Sequence, residues 1–181
     1  SPKGRSLFVS TAEKTQLITP STVSLDRLII DDVTDYPLQG IAFRRADLVV
    51  GFMVDGEKGL QLVAVNPQNQ KVDVLTNWSS GVDEFTLPVA ITSWVSPDAS
   101  ALAVEELHNS GRYQFSEYTF VTNQRSAPIA GARMVGWVQP HVPLLLQDFH
   151  LMARQGILQG DTQLSIPIDS PQVVVRSYTS P

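Results

Sequence analysis

At 181 residues, with 43% hydrophobic and 17% charged residues, the chain has the makeup of a folded domain with a sizeable core, which excludes a disordered segment. Thirteen Lys and Arg scattered among eighteen Asp and Glu give a formal net charge of −5 and no basic patch, which argues against nucleic acid as a partner. There is no cysteine for a disulfide frame or a thiolate zinc site, and no apolar run reaches the ~18 residues of a membrane span, so direct membrane insertion is not expected.

Most segments are short, rich in β-branched and aromatic residues, and bounded by turn residues. "SLFVST" (6–11) alternates, with Leu7 and Val9 on one face. After "RLII", Asp31, Asp32 and Asp35 fall on a "DDVTD" loop. "LVVGFMVD" (48–55), the turn "DGEKG" (55–59) and "LQLVAV" (60–65) read as a hairpin. The polar turn "NPQNQ" (66–70) and alternating "KVDVL" (71–75) extend it to a three-stranded meander. "TNWSSGVDEFTLP" (76–88) reads as an inserted loop.

Two stretches pull toward helix on propensity alone. "SPDASALAVEELHNSG" (96–111) offers Ser96 as an N-cap, Pro97 at the first helical position and Gly111 as a stop. "LLLQDFHLMARQG" (144–156) is built from good helix formers. Between and after them lie strand patterns: "GRYQFSEYTFV" (111–121), "TQLSIPI" (162–168) and "QVVVRSY" (172–178).

A repeat reverses the helical reading. "ITSWVSPDASALAVEEL" from Ile91 and "MVGWVQPHVPLLLQDF" from Met134 share one order: apolar residue, Trp, Val, Pro, then an apolar strand. "LQGIAFRRADLVVGFMV" (38–54) places Phe43 at the Trp position. The chain opens on the turn and strand "SPKGRSLFVS" and closes on the aromatic strand and turn "VRSYTSP". The turn prolines fall at 2, 97, 140 and 181, and the long first gap holds two units and the insertion. Units of about 40–50 residues with about four strands each have the period of β-propeller blades, which stack face to face to bury what one blade cannot cover. Trp94 and Trp137 are then expected in the core between blades.

These turns resemble the "W-S-P-D-G" blade turn of TolB-like and WD40-like β-propeller repeats, and similar blades occur in the propeller domains of prolyl-oligopeptidase-type peptidases. Of the turn glycines only Gly4 is present, with Ala99 and Val142 standing in its place in two other units. The resemblance implies an all-β chain of about four repeats of four-stranded antiparallel sheet. The units run approximately 1–37, 38–90, 91–133 and 134–171, with 172–181 starting or completing a blade. Either the C-terminal strand completes the first blade, or both ends cut a longer propeller at the same place; the second is the expectation. The chain does not begin with Met, so an export signal or anchor ahead of it stays open and localisation is unassigned.

No chemistry-bearing constellation emerges. The three aspartates do not have the spacing of an EF-hand loop, and a solvated turn is the simpler reading. His108, His141 and His150 are separate and lack an i, i+4 pair. Glu105 and Glu106 read as exposed. No G-x-S-x-G elbow is present. The expectation is therefore a non-catalytic binding or scaffold module for a protein or peptide partner, without catalytic residues, metal or cofactor. Trp78 and Phe85, aromatic residues amid polar neighbours, are the candidate partner contacts. The alternative is the substrate-access propeller of a larger hydrolase, and a third reading is an α+β domain with helices over 96–108 and 144–155.

Overall fold

The computed structural model describes residues 7–20, 28–45, 48–57, 59–79, 87–139, 142–148, 150–154 and 163–167. Among these residues every regular element is a β-strand, and the strands form four sheets that follow one another along the chain. Two compact units divide it, Ser1–Ser93 and Trp94–Pro181.

The first unit holds two antiparallel sheets. Sheet 1 runs β1 (Leu7–Ser10), β2 (Thr15–Pro20) and β3 (Leu28–Thr34) in that order. Its first hairpin is closed by Thr11, whose amide donates to the Lys14 carbonyl at 2.9 Å while its hydroxyl accepts the Glu13 and Lys14 amides. Sheet 2 runs β4 (Gln39–Arg45), β5 (Leu48–Asp55), β6 (Gly59–Asn66) and β7 (Lys71–Ser79). The Asp55 carboxylate accepts the Glu57 amide at 3.0 Å, and Gly59 takes φ +80°, as the tight loop requires. Strand β6 is buried from Gly59 to Val65, and its one polar side chain in that run, Gln61, is satisfied by donating to Asn77 Oδ1 at 2.9 Å.

Gly40 is needed where it stands. It has φ +53°, a Cβ there would lie 2.7 Å from Ile91 Cγ2, and its carbonyl accepts the Ser93 hydroxyl. The core between sheets 1 and 2 consists of Val33, Leu38, Val63 and Val65, with Phe8, Leu17, Tyr36 and Met53 packed around it.

Sheet 3 begins with β8 (Ala90–Val95), followed by β9 (Ala101–Leu107) and β10 (Tyr113–Thr119). Its outer edge is in two pieces, β11 (Gln124–Arg125) and β12 (Ile129–Ala130), both paired with β10. The break coincides with Pro128, which has no N–H to give a ladder, and Ser126 bonds Glu117 through both its amide and its hydroxyl. Sheet 4 runs β13 (Arg133–Gln139), β14 (Val142–Gln147), β15 (His150–Arg154) and β16 (Gln163–Pro167). Small residues oppose large ones between sheets 3 and 4. Ala103 and Ala132 meet Phe115 and Leu145, and Trp94, Met134 and Trp137 pack against that cluster.

The helical propensity of 96–108 and 144–155 is overridden in the described residues, which are turn and strand. Ser96 spends its capping ability on a tight turn: its Oγ accepts the Ser100 and Ala101 amides at 3.2 and 2.9 Å and donates to Asp98 Oδ1 at 2.6 Å. Ala99, at the turn glycine position, adopts φ +59°. Strands β4 and β13 both slip register directly after the aromatic that the repeat aligns, at Phe43 and at Trp137.

Two loop expectations are corrected. Asp31 and Asp32 lie within β3, paired with Leu17 and Gln16 of β2 just before Val33, which is buried against sheet 2, while Asp35 lies exposed just past the strand. The expected insertion starts later than 76, since β7 continues through Thr76–Ser79 in pairing with Leu60–Leu62.

Candidate functional site

The first unit carries an open groove between β3 and the β6–β7 turn. It has a volume of about 570 Å³ and is lined by Leu17, Asp31, Asp32, Pro67, Gln68, Asn69 and Gln70. The turn is fixed by its own side chains. Asn66 Oδ1 accepts the Gln68 amide at 2.9 Å, Asn69 Oδ1 accepts the Lys71 amide at 3.0 Å, and Gln70 takes φ +57°. Gln70 Nε2 then donates to the Asp32 carbonyl at 2.5 Å, tying the turn to sheet 1.

The two aspartates play different parts because successive strand residues face opposite ways. The Asp32 carboxylate is engaged by Lys14 Nζ at 2.9 and 3.1 Å and by Gln16 Nε2 at 2.7 Å. The Lys14 hydrogen bond, then the Gln16 one, holds this carboxyl below its ordinary value of 3.8. Asp31, opposite Leu17 in the register, is exposed in the groove, and among the described residues no group pairs with its carboxylate. Around that unspent charge stand amide donors and acceptors over an apolar floor, an arrangement suited to an extended polar chain.

The second unit carries buried carboxylates where exposed ones were expected. Glu105 and Glu106 lie on β9 at 6% and 5% exposure, because both faces of that strand are covered. Glu106 Oε1 receives Arg125 Nη2 at 2.8 Å, and the same guanidinium reaches Ser116 Oγ at 3.1 Å. Burial pulls the Arg125 guanidinium below its usual range, with Glu106 opposing the shift. Glu105 Oε2 accepts the Met134 amide at 2.9 Å, and its Oε1 lies 3.5 Å from Arg133 Nη2, whose guanidinium sits 4.2 Å over the Tyr113 ring. These groups bind one another and hold sheets together. No nucleophile stands beside a base among them.

Trp78 is not an exposed anchor. It lies on β7 at 4% exposure, with its ring edge-on to Phe52 at 5.0 Å between centroids. Phe85 lies outside the described residues. His108 Nε2 is 3.4 Å from Glu106 Oε2, His150 lies exposed beside the Asp148 carbonyl, and His141 is outside the described residues. Among the described residues no group of three or more potential ligands could hold a metal ion.

The groove was not foreseen from sequence. Its walls come from β3 and from a turn in the next sheet, and only sheet stacking brings them together. The one available clue was the polar "NPQNQ" turn beyond a largely apolar strand.

Consecutive antiparallel sheets of three to five strands, stacked in each unit on apolar faces, make a propeller-like fold. In agreement, the chain is similar to the crystal structure of TolB from Acinetobacter baumannii, a β-propeller protein, with a TM-score of 0.54 and 12% identity. That match covers 92% of this chain and 42% of the TolB chain, and at this identity it shows the fold alone. No protein-family model matches the sequence, and no curated protein does.

Proposed function

We propose that this chain is a non-catalytic propeller-type binding module, and that the groove along β3 and the β6–β7 turn engages an extended segment of a protein or peptide partner. The observation that carries the reading is the Asp31 carboxylate, unspent among amide side chains in an open groove. Rigid stacked sheets supply a platform that need not reorganise on binding, which keeps the ordering cost low. Phe85 remains a proposed additional contact on the grounds of its sequence setting. Trp78 supports the module from within, by packing on Phe52. The substrate-access domain of a larger hydrolase shares the architecture and gains no observation of its own.

The test is selection of a displayed random peptide library on the purified protein. Selected peptides are expected to carry Lys or Arg and to bind Asp31→Lys at least about tenfold more weakly, a change of ~1.4 kcal/mol. Binding that ignores both Asp31→Lys and Gln68→Ala would place the contact elsewhere. Phe85→Ala, assayed alongside, reports on the second contact separately.

A further inference from the structure

Strand β3 is an edge strand of sheet 1, and its register settles which backbone groups that edge presents. Thr11 and Lys14 close the β1–β2 hairpin as a hydrogen-bonded pair, at 2.9 Å. In an antiparallel ladder such pairs alternate with pairs whose N–H and C=O turn away from each other. Gln16 and Ile18 therefore bond toward β1, and Leu17 and Thr19 bond toward β3. Opposite them, Asp31 and Ile29 bond back to β2, which leaves the N–H and C=O of Leu28, Ile30 and Asp32 pointing outward. Two details agree. Pro20, which has no N–H, stands opposite Leu28, where β3 requires none, and the Asp32 carbonyl is taken by Gln70 Nε2 at 2.5 Å.

Other edges of the molecule are guarded against pairing. The ladder of β7 is irregular at two places and the strand carries the Lys71–Asp73 ion pair, while Pro128 interrupts the edge formed by β11 and β12. By contrast, β3 is regular from Leu28 to Asp32, and Ile29 and Ile30 are 45% and 57% exposed. Among the described residues no strand pairs with this edge. Asp31 lies on the same face as Leu17 and opens into the groove, where it repels any strand that brings no cation. Gln70 fills the Asp32 carbonyl and so ends the free stretch.

We propose that the partner segment adds to this edge as an antiparallel strand, with Lys or Arg opposite Asp31 and β-branched residues opposite Ile30 and Ile29; this rests on the groove being the binding site. The pair at Ile30 exchanges both backbone bonds. The pairs at Asp31 and Ile29 do not, so their side chains approach most closely, which is where an opposite charge discriminates best. The recognised sequence therefore reads basic, apolar, apolar in the partner's own direction.

The capped synthetic peptide Ser-Thr-Lys-Val-Val-Thr-Ser tests this on the intact chain by NMR titration and amide hydrogen exchange. It is expected to bind with a Kd below about 1 mM and to slow exchange of the Ile30 amide at least ~tenfold at saturation. Methylating the backbone nitrogen of the first valine, which donates to Ile30, should abolish binding. Methylating that of the lysine or of the second valine should change it less than about threefold, since both point away from β3. Ile30→Pro removes the outward N–H at an edge, where proline is tolerated, and should lose the peptide with an unchanged circular dichroism spectrum. The methylated peptides leave the protein unaltered, so their result stands even where that variant is unstable. Equal tolerance of all three methyl groups overturns strand addition. If Asp31→Lys still weakens that binding, the groove remains the site and holds the segment by side chains alone. Binding that ignores Asp31→Lys overturns both. No binding at about 1 mM overturns strand addition. So does an Ile30 amide that exchanges slowly without peptide, since the edge is then already paired.

Discussion

Where the chain enters sheet 2, the Leu38 amide is received by two hydroxyls, Ser10 Oγ at 3.1 Å and Thr15 Oγ1 at 3.0 Å. Where it enters sheet 4, the Met134 amide is received by the Glu105 carboxylate at 2.9 Å. Ser10 and Glu105 stand at the same place in the repeat, eight residues after Pro2 and Pro97. One backbone demand is met in the first unit by neutral, redundant groups and in the second by a single buried charge. The cores differ in the same sense. Valines meet valines between sheets 1 and 2, whereas alanines accommodate Phe115 and the tryptophans between sheets 3 and 4. The first seam spreads its stability over several modest interactions, and the second concentrates it in a few residues.

Truncation should expose that contrast most strongly in the cores. Phe115→Ala is expected to cost about 3–5 kcal/mol, against about 2 kcal/mol for Val63→Ala, read from urea midpoints. Equal losses would remove the distinction between a concentrated and a distributed core. At the amides, Glu105→Ala should cost about 1–3 kcal/mol, since it leaves the Met134 N–H without its acceptor. Ser10→Ala should cost about 1 kcal/mol or less, because Thr15 still receives Leu38. Glu105→Gln, which keeps an acceptor for Met134, should fall between them. A Ser10→Ala loss as large as that of Glu105→Ala would mean that the two hydroxyls are not redundant.

The same contrast explains what could be read from sequence. The hairpin over 48–66 was legible because its apolar runs are interrupted by a turn whose residues, Asp55 and Gly59, have one obvious use. Ser96, Pro97 and Asp98 have two uses, helix capping and tight turn, and only the repeat at Trp137 and Pro140 decided between them. Glu105 and Glu106 misled because a charge pair is ordinarily solvated, although "ALAVEEL" leaves no polar alternation for an exposed face. Trp78 misled similarly: its neighbours in sequence are polar, and its partner, Phe52, arrives from β5. The groove at Asp31 required the stacking of two sheets, which no local pattern encodes.

The turns give a smaller test of the same comparison. Gly59 in the first unit and Ala99 in the second both adopt left-handed backbone, at φ +80° and +59°. A Cβ there is strained, so Ala99→Gly should stabilise the protein by about 1 kcal/mol and Gly59→Ala should destabilise it by a similar amount. Thermal midpoints moving in opposite directions would establish that Ala99 carries a backbone strain that glycine relieves at Gly59. A loss of stability in Ala99→Gly would mean that the alanine methyl makes packing contacts worth more than the strain.

The smallest effect belongs to the surface of the first unit. Asp32 is held below its ordinary value of 3.8, chiefly by the Lys14 hydrogen bond and next by that of Gln16. A carboxyl depressed on folding contributes stability that is present above its unfolded value and is lost as the pH falls through its lower folded value. The group is open to solvent, so this contribution is strongly screened and is better read from the titration itself than from unfolding. Following the Asp32 carboxyl carbon by NMR, Lys14→Ala should move the midpoint up toward 3.8, and Gln16→Ala should move it less. Added salt should weaken the Lys14 effect more than that of Gln16, since only the first has a net charge to screen. If Gln16→Ala moves the midpoint further, the lysine is a loose surface partner and the amide orders the carboxylate. The polar edge of the groove would then depend on Gln16 and Gln70 rather than on an ion pair.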